Sequence, residues 1–212
     1  MNRQGIDQQL KAALLAAVDR LSLRDGKSSL SETEGKKVWT FKSEWGFDLE
    51  TDKLDKINEF LQKAESVDLV VLESAERGTV GIDLDVLNVL SQSKKVRLDI
   101  YTLQVTNFGH ENEAVPMVSV WSDMFDGVQE LDIYPQVCLL LVGPNRHVFE
   151  RISSQEGYID FTEEVKCNLL SIDSTHIPDK ATVLKRAEFT NCEVSRYWGI
   201  DKGVPEVTFR NC

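Results

Sequence analysis

The chain has few of the features that mark common enzyme classes. It contains no G-x-S-x-G nucleophile elbow, no H-E-x-x-H zinc motif and no glycine-rich dinucleotide loop. Its histidines, His110, His147 and His176, are isolated, and its four cysteines include no C-x-x-C pair. The sequence therefore predicts a protein that is not an enzyme and uses no metal or cofactor. The alternative is a small hydrolase-like α/β enzyme without a recognisable motif.

Long apolar stretches and an excess of basic residues are also missing. No segment approaches the roughly eighteen apolar residues of a membrane span. The apolar run LKAALLAAV near the start lacks the basic lead of a secretion signal. Twenty-four Lys and Arg against thirty-five Asp and Glu give a net charge of −11, which repels phosphate backbones. We therefore expect no nucleic-acid or membrane partner and an intracellular location, cytoplasmic or nuclear.

What the chain does contain is a recurring apolar pattern. Leu98-Asp99-Ile100-Tyr101 recurs as Leu131-Asp132-Ile133-Tyr134. The wider spacing L-x-x-L-x-L-x-x-N/C-x-L returns in five copies, which begin at Lys95, Val128, Cys167, Leu184 and Val204. The steps from Cys167 to Leu184 and to Val204 are 17 and 20 residues, whereas the two earlier steps are 33 and 39. The longest gap contains either a degenerate unit around residues 148–161 or an insertion.

This pattern resembles the irregular leucine-rich repeats of F-box and ribonuclease-inhibitor relatives. The resemblance covers roughly residues 66–212 and implies an α/β fold, a short leucine-rich-repeat-like solenoid with parallel strands and an N-terminal helical and aromatic cap. An F-box would open near a Leu-Pro, but residues 1–65 contain no proline, so no F-box is visible. A generic α/β protein with alternating strands stays open as an alternative. AEFTNCEV and VTFRNC also suggest a pentapeptide-type β-solenoid, but nothing recurs at five-residue spacing.

Residues 1–64 are predicted to form the N-terminal cap, and residues 65–212 the solenoid. Ile6, Leu10, Leu14 and Leu21 recur at helical spacing, which predicts a helix over 6–22. The pattern also predicts a polar loop at 24–37, a strand with Trp39 and Phe41 on one face, and a second helix at 52–65. Such a cap would cover the open end of the core.

Within the solenoid, we expect a first strand at 68–74 and convex-side helices at 82–93 and 115–125. The sequence stops at Cys212 in the middle of a repeat frame. This predicts either a fragment truncated at the C-terminus or association through an open C-terminal edge.

The cysteines, Cys138, Cys167, Cys192 and Cys212, all fall on inward positions of the repeat frame. We therefore predict buried free thiols in preference to disulfides or a metal site. The ninth position of the repeat is occupied by Thr175, Cys192 and Cys212 in the last three copies. A hydroxyl or thiol there can bond to the turning backbone.

The repeat frame also predicts a partner-binding surface, made of the outward residues on either side of the second strand leucine. These pairs are Asp99 and Tyr101, Asp132 and Tyr134, Ser171 and Asp173, Glu188 and Thr190, and Thr208 and Arg210. Carboxylates steer a basic partner, and tyrosines provide rigid contact area. The predicted function is a scaffold or adaptor module that binds a protein or peptide with a basic surface. The simpler interpretation is a strand face that is polar because it is solvated.

Overall fold

The chain folds as an α/β protein with mostly parallel strands and few helices. The computed structural model describes residues 3–21, 23, 26–107, 117–174, 176–193 and 203–212, with residues 3–6 described by backbone alone. The helices are α1 (Arg3–Arg20), α2 (Leu54–Lys63) and α3 (Leu84–Gln92), and 3-10 turns lie at Thr51–Lys53, Ala64–Ser66 and Ser122–Phe125. None of these helices is both long and apolar enough to cross a membrane.

Fifteen strands form three sheets in the described residues. In chain order they are β1 (Gly26–Thr33), β2 (Lys36–Ser43), β3 (Phe47–Leu49), β4 (Leu69–Glu73), β5 (Thr79–Asp83), β6 (Val96–Asp99), β7 (Thr102–Thr106), β8 (Val118–Trp121), β9 (Glu130–Ile133), β10 (Cys138–Val142), β11 (Val148–Gln155), β12 (Tyr158–Phe161), β13 (Val165–Asp173), β14 (Ala181–Thr190) and β15 (Glu206–Arg210).

The largest sheet has eight strands, all parallel, in the order β3-β5-β7-β9-β11-β13-β14-β15. The intervening strands form a four-stranded sheet, β1-β2-β4-β6, and a three-stranded sheet, β8-β10-β12. From β2 to β13 the chain therefore alternates between the large sheet and one of the smaller sheets. This alternation supplies the return path that neighbouring parallel strands require.

One cluster of buried apolar side chains links the three sheets and the helices in the described residues. It includes Leu14 and Val18 of α1, the stacked pair Trp39 and Phe41 of β2, and Phe189 of β14. The predicted helices at 6–22 and 52–65 and the strand at Trp39–Phe41 are confirmed, although the side chain of Ile6 lies outside the described residues. Strand β3 belongs to the predicted cap in sequence but pairs with β5 in the large sheet.

The predicted polar loop at 24–37 is wrong, because most of this segment is a β-hairpin. Strands β1 and β2 pair from Gly26↔Ser43 to Thr33↔Lys36. The two turn residues, Glu34 and Gly35, both have positive φ, at 53° and 77°, as a tight hairpin with the right twist requires. Strand β1 looks like a loop in sequence because it is an edge strand with mostly exposed polar side chains.

The predicted helix at 115–125 is also wrong. Residues 115 and 116 lie outside the described residues, and the rest forms β8 followed by a single 3-10 turn. In β8, Val118 and Val120 are buried while Ser119 and Trp121 are exposed, which is the period of a strand. The predicted helix at 82–93 is confirmed as α3, and the side chain of its N-cap Asp83 accepts a hydrogen bond from Asp85 N–H at 3.1 Å.

The long gap between the repeat copies at Val128 and Cys167 contains a full strand of the large sheet. Strand β11 lies between β9 and β13, with Ile152 in register with Leu131 and Leu170. Segment 148–161 is therefore a structural unit with a weak sequence pattern. Strand β12 follows it in the three-stranded sheet.

All four cysteines are free, as predicted. Cys167 and Cys192 are buried, and Cys192 Sγ lies 3.1 Å from Thr190 O and 3.3 Å from Ile172 O, the expected contacts with turning backbone. The predicted burial of Cys138 and Cys212 is wrong. Cys138 is half-buried because Val137 and Leu139 take the inward positions beside it, and Cys212 is exposed. Thr175, of the ninth repeat position, and His110 lie outside the described residues.

Candidate functional site

The side of the eight-stranded sheet that points away from the core carries three rows of aligned, mostly polar residues, which we call the outer face. Its middle row is Asp48, Gly81, Gln104, Asp132, Ser153, Ser171, Glu188 and Thr208. The row on the N-terminal side of each strand includes Thr102, Glu130, Arg151, Leu169, Arg186 and Glu206. The row on the C-terminal side includes Gln155, Asp173, Thr190 and Arg210.

Most of the predicted partner-binding residues share this face. Asp132, Ser171, Glu188 and Thr208 lie in the middle row, and Asp173, Thr190 and Arg210 lie in the next row. Tyr134 directly follows β9 and lines the same face beside Gln104 and Thr106. Their role in binding stays a prediction.

The placement of Asp99 and Tyr101 on this face is wrong. Asp99 ends β6 in the four-stranded sheet, where it is in register with Glu73. Tyr101 lies in the bend between β6 and β7. The residue in register with Asp132 is Gln104 of β7, because Leu103 and Val105 flank it as buried residues.

Several outer-face residues were missed by the repeat alignment, among them Asp48, Glu50, Asp83, Arg151 and Arg186. The usable signal was the apolar-x-apolar pattern itself, which also occurs at Phe47-x-Leu49, Val80-x-Ile82 and Leu103-x-Val105. The repeat spacing took Leu98-x-Ile100 as the strand pair and placed Leu103 and Val105 at the ninth and eleventh positions of that copy. It did not include the other two pairs. All three pairs are the inward residues of β3, β5 and β7.

Arg151 neutralises the acidic residues at the centre of the outer face. Its Nη2 donates to Glu130 Oε2 at 2.8 Å and to Asp132 Oδ2 at 3.1 Å. Ser153 Oγ also donates to Asp132 Oδ1 at 2.6 Å, and the Asp132 side chain is only 13% exposed. Asp132 is therefore part of a nearly buried network joining β9 and β11, and it presents little free negative charge.

A second arginine, Arg186, neutralises acidic residues over the last strands of the sheet. Arg186 lies 2.7 Å from Glu188 Oε1 and 3.5 Å from Glu206 Oε1. Asp173 accepts a hydrogen bond from Asn191 Nδ2 at 2.8 Å. A shallow groove of about 510 Å³ crosses this half of the face. It is lined by Arg151, Ser153, Ser171, Glu188 and Thr190, among other residues.

The first strands of the outer face differ, because two exposed carboxylates, Asp48 and Glu50, line a groove there. A groove of about 390 Å³ is lined by Asp48, Leu49, Glu50, Gly81, Asp83, Gln104, Thr106 and Tyr134. Among the described residues Asp48 and Glu50 are exposed and form no ion pair. We call this the acidic groove.

A glycine in the acidic groove makes room for one of its carboxylates. A Cβ built on Gly81 would lie 2.3 Å from Asp48 Oδ1, so the Asp48 carboxylate occupies the space over the Gly81 backbone. Any side chain at position 81 would displace it. The floor of the acidic groove between β3 and β7 therefore depends on position 81 having no side chain.

Among the described residues, no group of three or more His, Cys, Asp or Glu side chains could hold a metal ion. Comparison of the chain with protein-family models, curated protein sequences and solved structures finds no match.

Proposed function

We propose that this chain is a non-enzymatic protein-interaction module, a short and irregular leucine-rich-repeat-like solenoid that binds a basic protein or peptide on its outer face. The observation that carries the proposal is the acidic groove, where exposed carboxylates and a tyrosine lie on a surface of aligned parallel strands. The proposed module works without a cofactor and has neither nucleic acid nor membrane as its partner.

The solenoid part of the proposal is supported by the order of the strands. Ser153, Ser171, Glu188 and Thr208 are in register across β11, β13, β14 and β15, at sequence steps of 18, 17 and 20 residues. In most α/β proteins a fully parallel sheet is covered by helices and is apolar on both sides. In this sheet one side is apolar and the other is mostly polar, which favours a stack of repeated units over a doubly wound sheet.

Cysteines at the ninth position of the repeat add to this support. Cys192 and Cys212 follow one another by one 20-residue step, and Cys192 N–H donates to Cys212 Sγ at 3.4 Å. Cys212 Sγ in turn lies 3.2 Å from Arg210 O, as Cys192 Sγ does from Thr190 O at 3.1 Å. The same contact therefore recurs on neighbouring strands, as a repeat frame requires.

The choice of a basic partner follows from the distribution of charge. Two of the outer-face arginines, Arg151 and Arg186, are engaged by carboxylates, and the third, Arg210, lies on β15 at the opposite end of the sheet from Asp48 and Glu50. This leaves the negative charge of Asp48 and Glu50 at the N-terminal end available to attract lysines and arginines. Tyr134 borders the groove and offers a rigid amphipathic side chain for the same contact.

A pull-down from lysate of the source cells, followed by association kinetics with the recovered partner, tests the proposal. The wild-type chain is compared with Asp48→Lys/Glu50→Lys and with Glu34→Lys/Glu163→Lys, in which exposed turn residues carry the same charge change. We expect the control to retain the partner and the groove variant to lose it. Association of the groove variant should be about tenfold or more slower at low salt, and the difference should shrink as salt is added.

Two outcomes would count against the proposal. If both double variants lose the partner equally, net charge alone governs binding and the groove is not the site. If a partner binds all three proteins with the same kinetics, contact occurs elsewhere on the molecule. A separately observed catalytic turnover would favour the small α/β enzyme instead.

A further inference from the structure

The last strand of the large sheet has a free hydrogen-bonding edge. β15 pairs with β14 on one side, and no described strand pairs with its other side. Asn191 N–H donates to the carbonyl of Arg210 at 3.0 Å, so the backbone of Arg210 points toward β14. Because backbone groups alternate in direction along a strand, the N–H and C=O groups of Val207 and Phe209 point outward.

Two apolar side chains of β15 are also incompletely covered by the described residues. Phe209 stacks on Phe189 with ring centroids 5.6 Å apart, yet it remains 38% exposed. Val207 is half-buried and packs against the same core. Both apolar side chains therefore point to the inner side of the sheet, on the same two residues whose backbone groups face outward.

The outer side of β15 carries one charge of each sign. Glu206 and Arg210 are exposed at the two ends of the strand, with Thr208 midway between them. Arg210 forms no ion pair among the described residues, whereas Glu206 lies 3.5 Å from Arg186. When two copies of this strand run antiparallel, Glu206 of each copy can therefore face Arg210 of the other.

We propose that two copies of this chain associate through β15, paired antiparallel about a two-fold axis at Thr208. Glu206 of each copy then lies opposite Arg210 of the other, and Val207 lies opposite Phe209. Val207 and Phe209 exchange backbone hydrogen bonds across the axis and cover each other's exposed apolar surface.

The two-fold geometry also closes the assembly. Each copy uses the same strand and the same residues, so the pairing makes a dimer and cannot propagate into a fibre. A two-fold axis perpendicular to the sheet places both outer faces on the same side of the dimer. This proposal rests on β15 alone and is independent of the acidic groove at the opposite end of the sheet.

The test measures mass by sedimentation velocity over a range of protein concentrations. The variants are Arg210→Glu, which places two glutamates opposite each other, and Glu206→Arg, which does the same with two arginines. Controls with matched charge changes are Lys36→Glu and Glu163→Arg, at exposed positions of the hairpin and of the turn after β12. Circular dichroism verifies that each variant is folded.

We expect the wild-type chain and both controls to dimerise, and each β15 variant to dimerise about tenfold or more weakly. An equimolar mixture of Arg210→Glu and Glu206→Arg should regain the wild-type dimer, because each Glu again faces an Arg. This recovery separates loss of pairing from loss of folding. A monomeric wild-type chain at every concentration, or a dimer that neither β15 variant weakens, overturns the proposal. Single variants that dissociate without recovery in the mixture overturn the antiparallel register.

Discussion

Ser153 Oγ donates a hydrogen bond to Asp132 Oδ1 across 2.6 Å, and this contact joins β9 to β11 on the outer face. Arg151 lies beside it, with Nη2 at 3.1 Å from the second carboxylate oxygen. In sequence, Asp132 looked like an exposed recognition residue. Its position makes it a structural residue, because its carboxylate is held by neighbours and nearly excluded from solvent.

Replacing Asp132 by alanine should therefore destabilise the fold. The change leaves the Ser153 hydroxyl without its acceptor and removes one of the carboxylates beside Arg151, so we expect a loss of about 1–3 kcal/mol in the free energy of unfolding. Urea denaturation measures it. Asp99→Ala is the control, because the Asp99 side chain is 47% exposed and should change stability by less than about 0.5 kcal/mol. Equal losses of stability in Asp132→Ala and Asp99→Ala would contradict the hydrogen-bond network around Asp132.

The leucines of the repeat pattern should differ sharply in their contribution to stability. Leu170 is fully buried in β13, so Leu170→Ala should cost about 2–5 kcal/mol. Leu184 opens a repeat copy in the sequence frame, yet its side chain is 43% exposed. Leu184→Ala should therefore change the free energy of unfolding by less than about 0.5 kcal/mol. A large loss at Leu184 with none at Leu170 would reverse the assigned inward and outward positions of β13 and β14.

Burial of Cys167 should make stability depend on pH in the alkaline range. Burial raises the pKa of the Cys167 thiol from 9.0 to about 12, so the folded state disfavours the thiolate. The stabilisation is fully present below pH 9.0 and is lost as the pH rises through this range toward 12, at about 1.4 kcal/mol per pH unit.

Denaturation of the wild-type chain and of Cys167→Ala between pH 8 and 11 measures this dependence. The free energy of unfolding of the alanine variant should fall less steeply above pH 9.0 than that of the wild-type chain. Native-state labelling with a thiol reagent provides a second measurement. Cys212 should react first and Cys167 only after unfolding. Rapid labelling of Cys167 in the folded protein would refute its burial.

Gly46 should tolerate no side chain, although the adjacent tryptophan should be replaceable. A Cβ on Gly46 would lie 1.9 Å from the carbonyl oxygen of Thr79, where β3 approaches β5. Gly46→Ala should cost about 1–3 kcal/mol because the backbone must shift to relieve the overlap. Trp45→Ala, at a side chain that is 72% exposed, should stay within about 0.5 kcal/mol. Thermal or urea unfolding of Gly46→Ala and Trp45→Ala measures both changes in the free energy of unfolding.

The sequence predicted most elements that have a strong apolar period of their own. Helices α1, α2 and α3 and strands β2 and β4 all lie where the pattern placed them, because each buries one side against the core. The edge strand β1 and the short strand β8 were missed. Neither has a long apolar pattern: β1 is a polar edge strand paired with β2 through a two-residue turn, and the pairing of β8 depends on β10, a later strand.

Positions on the outer face were predicted correctly where the sequence steps were regular and incorrectly where they were not. Ser171, Glu188 and Thr208 align as expected because their strands follow one another with short connections. Leu98 and Leu103 both begin an apolar-x-apolar pair, and alternation alone does not tell which strand joins the large sheet. That choice depends on tertiary packing, so the acidic groove was missed and Asp99 was wrongly included.

The unequal steps between aligned residues have a consequence for how this architecture can change. Asp48 and Gly81 are neighbours across the sheet at a distance of 33 residues in the chain, whereas Ser171 and Glu188 are neighbours at 17. The register of the outer face is thus independent of how many residues the return path contains. Insertions in the return segments should therefore cost little entropy. New loops can be added on the side of the molecule opposite the outer face without changing the outer face itself.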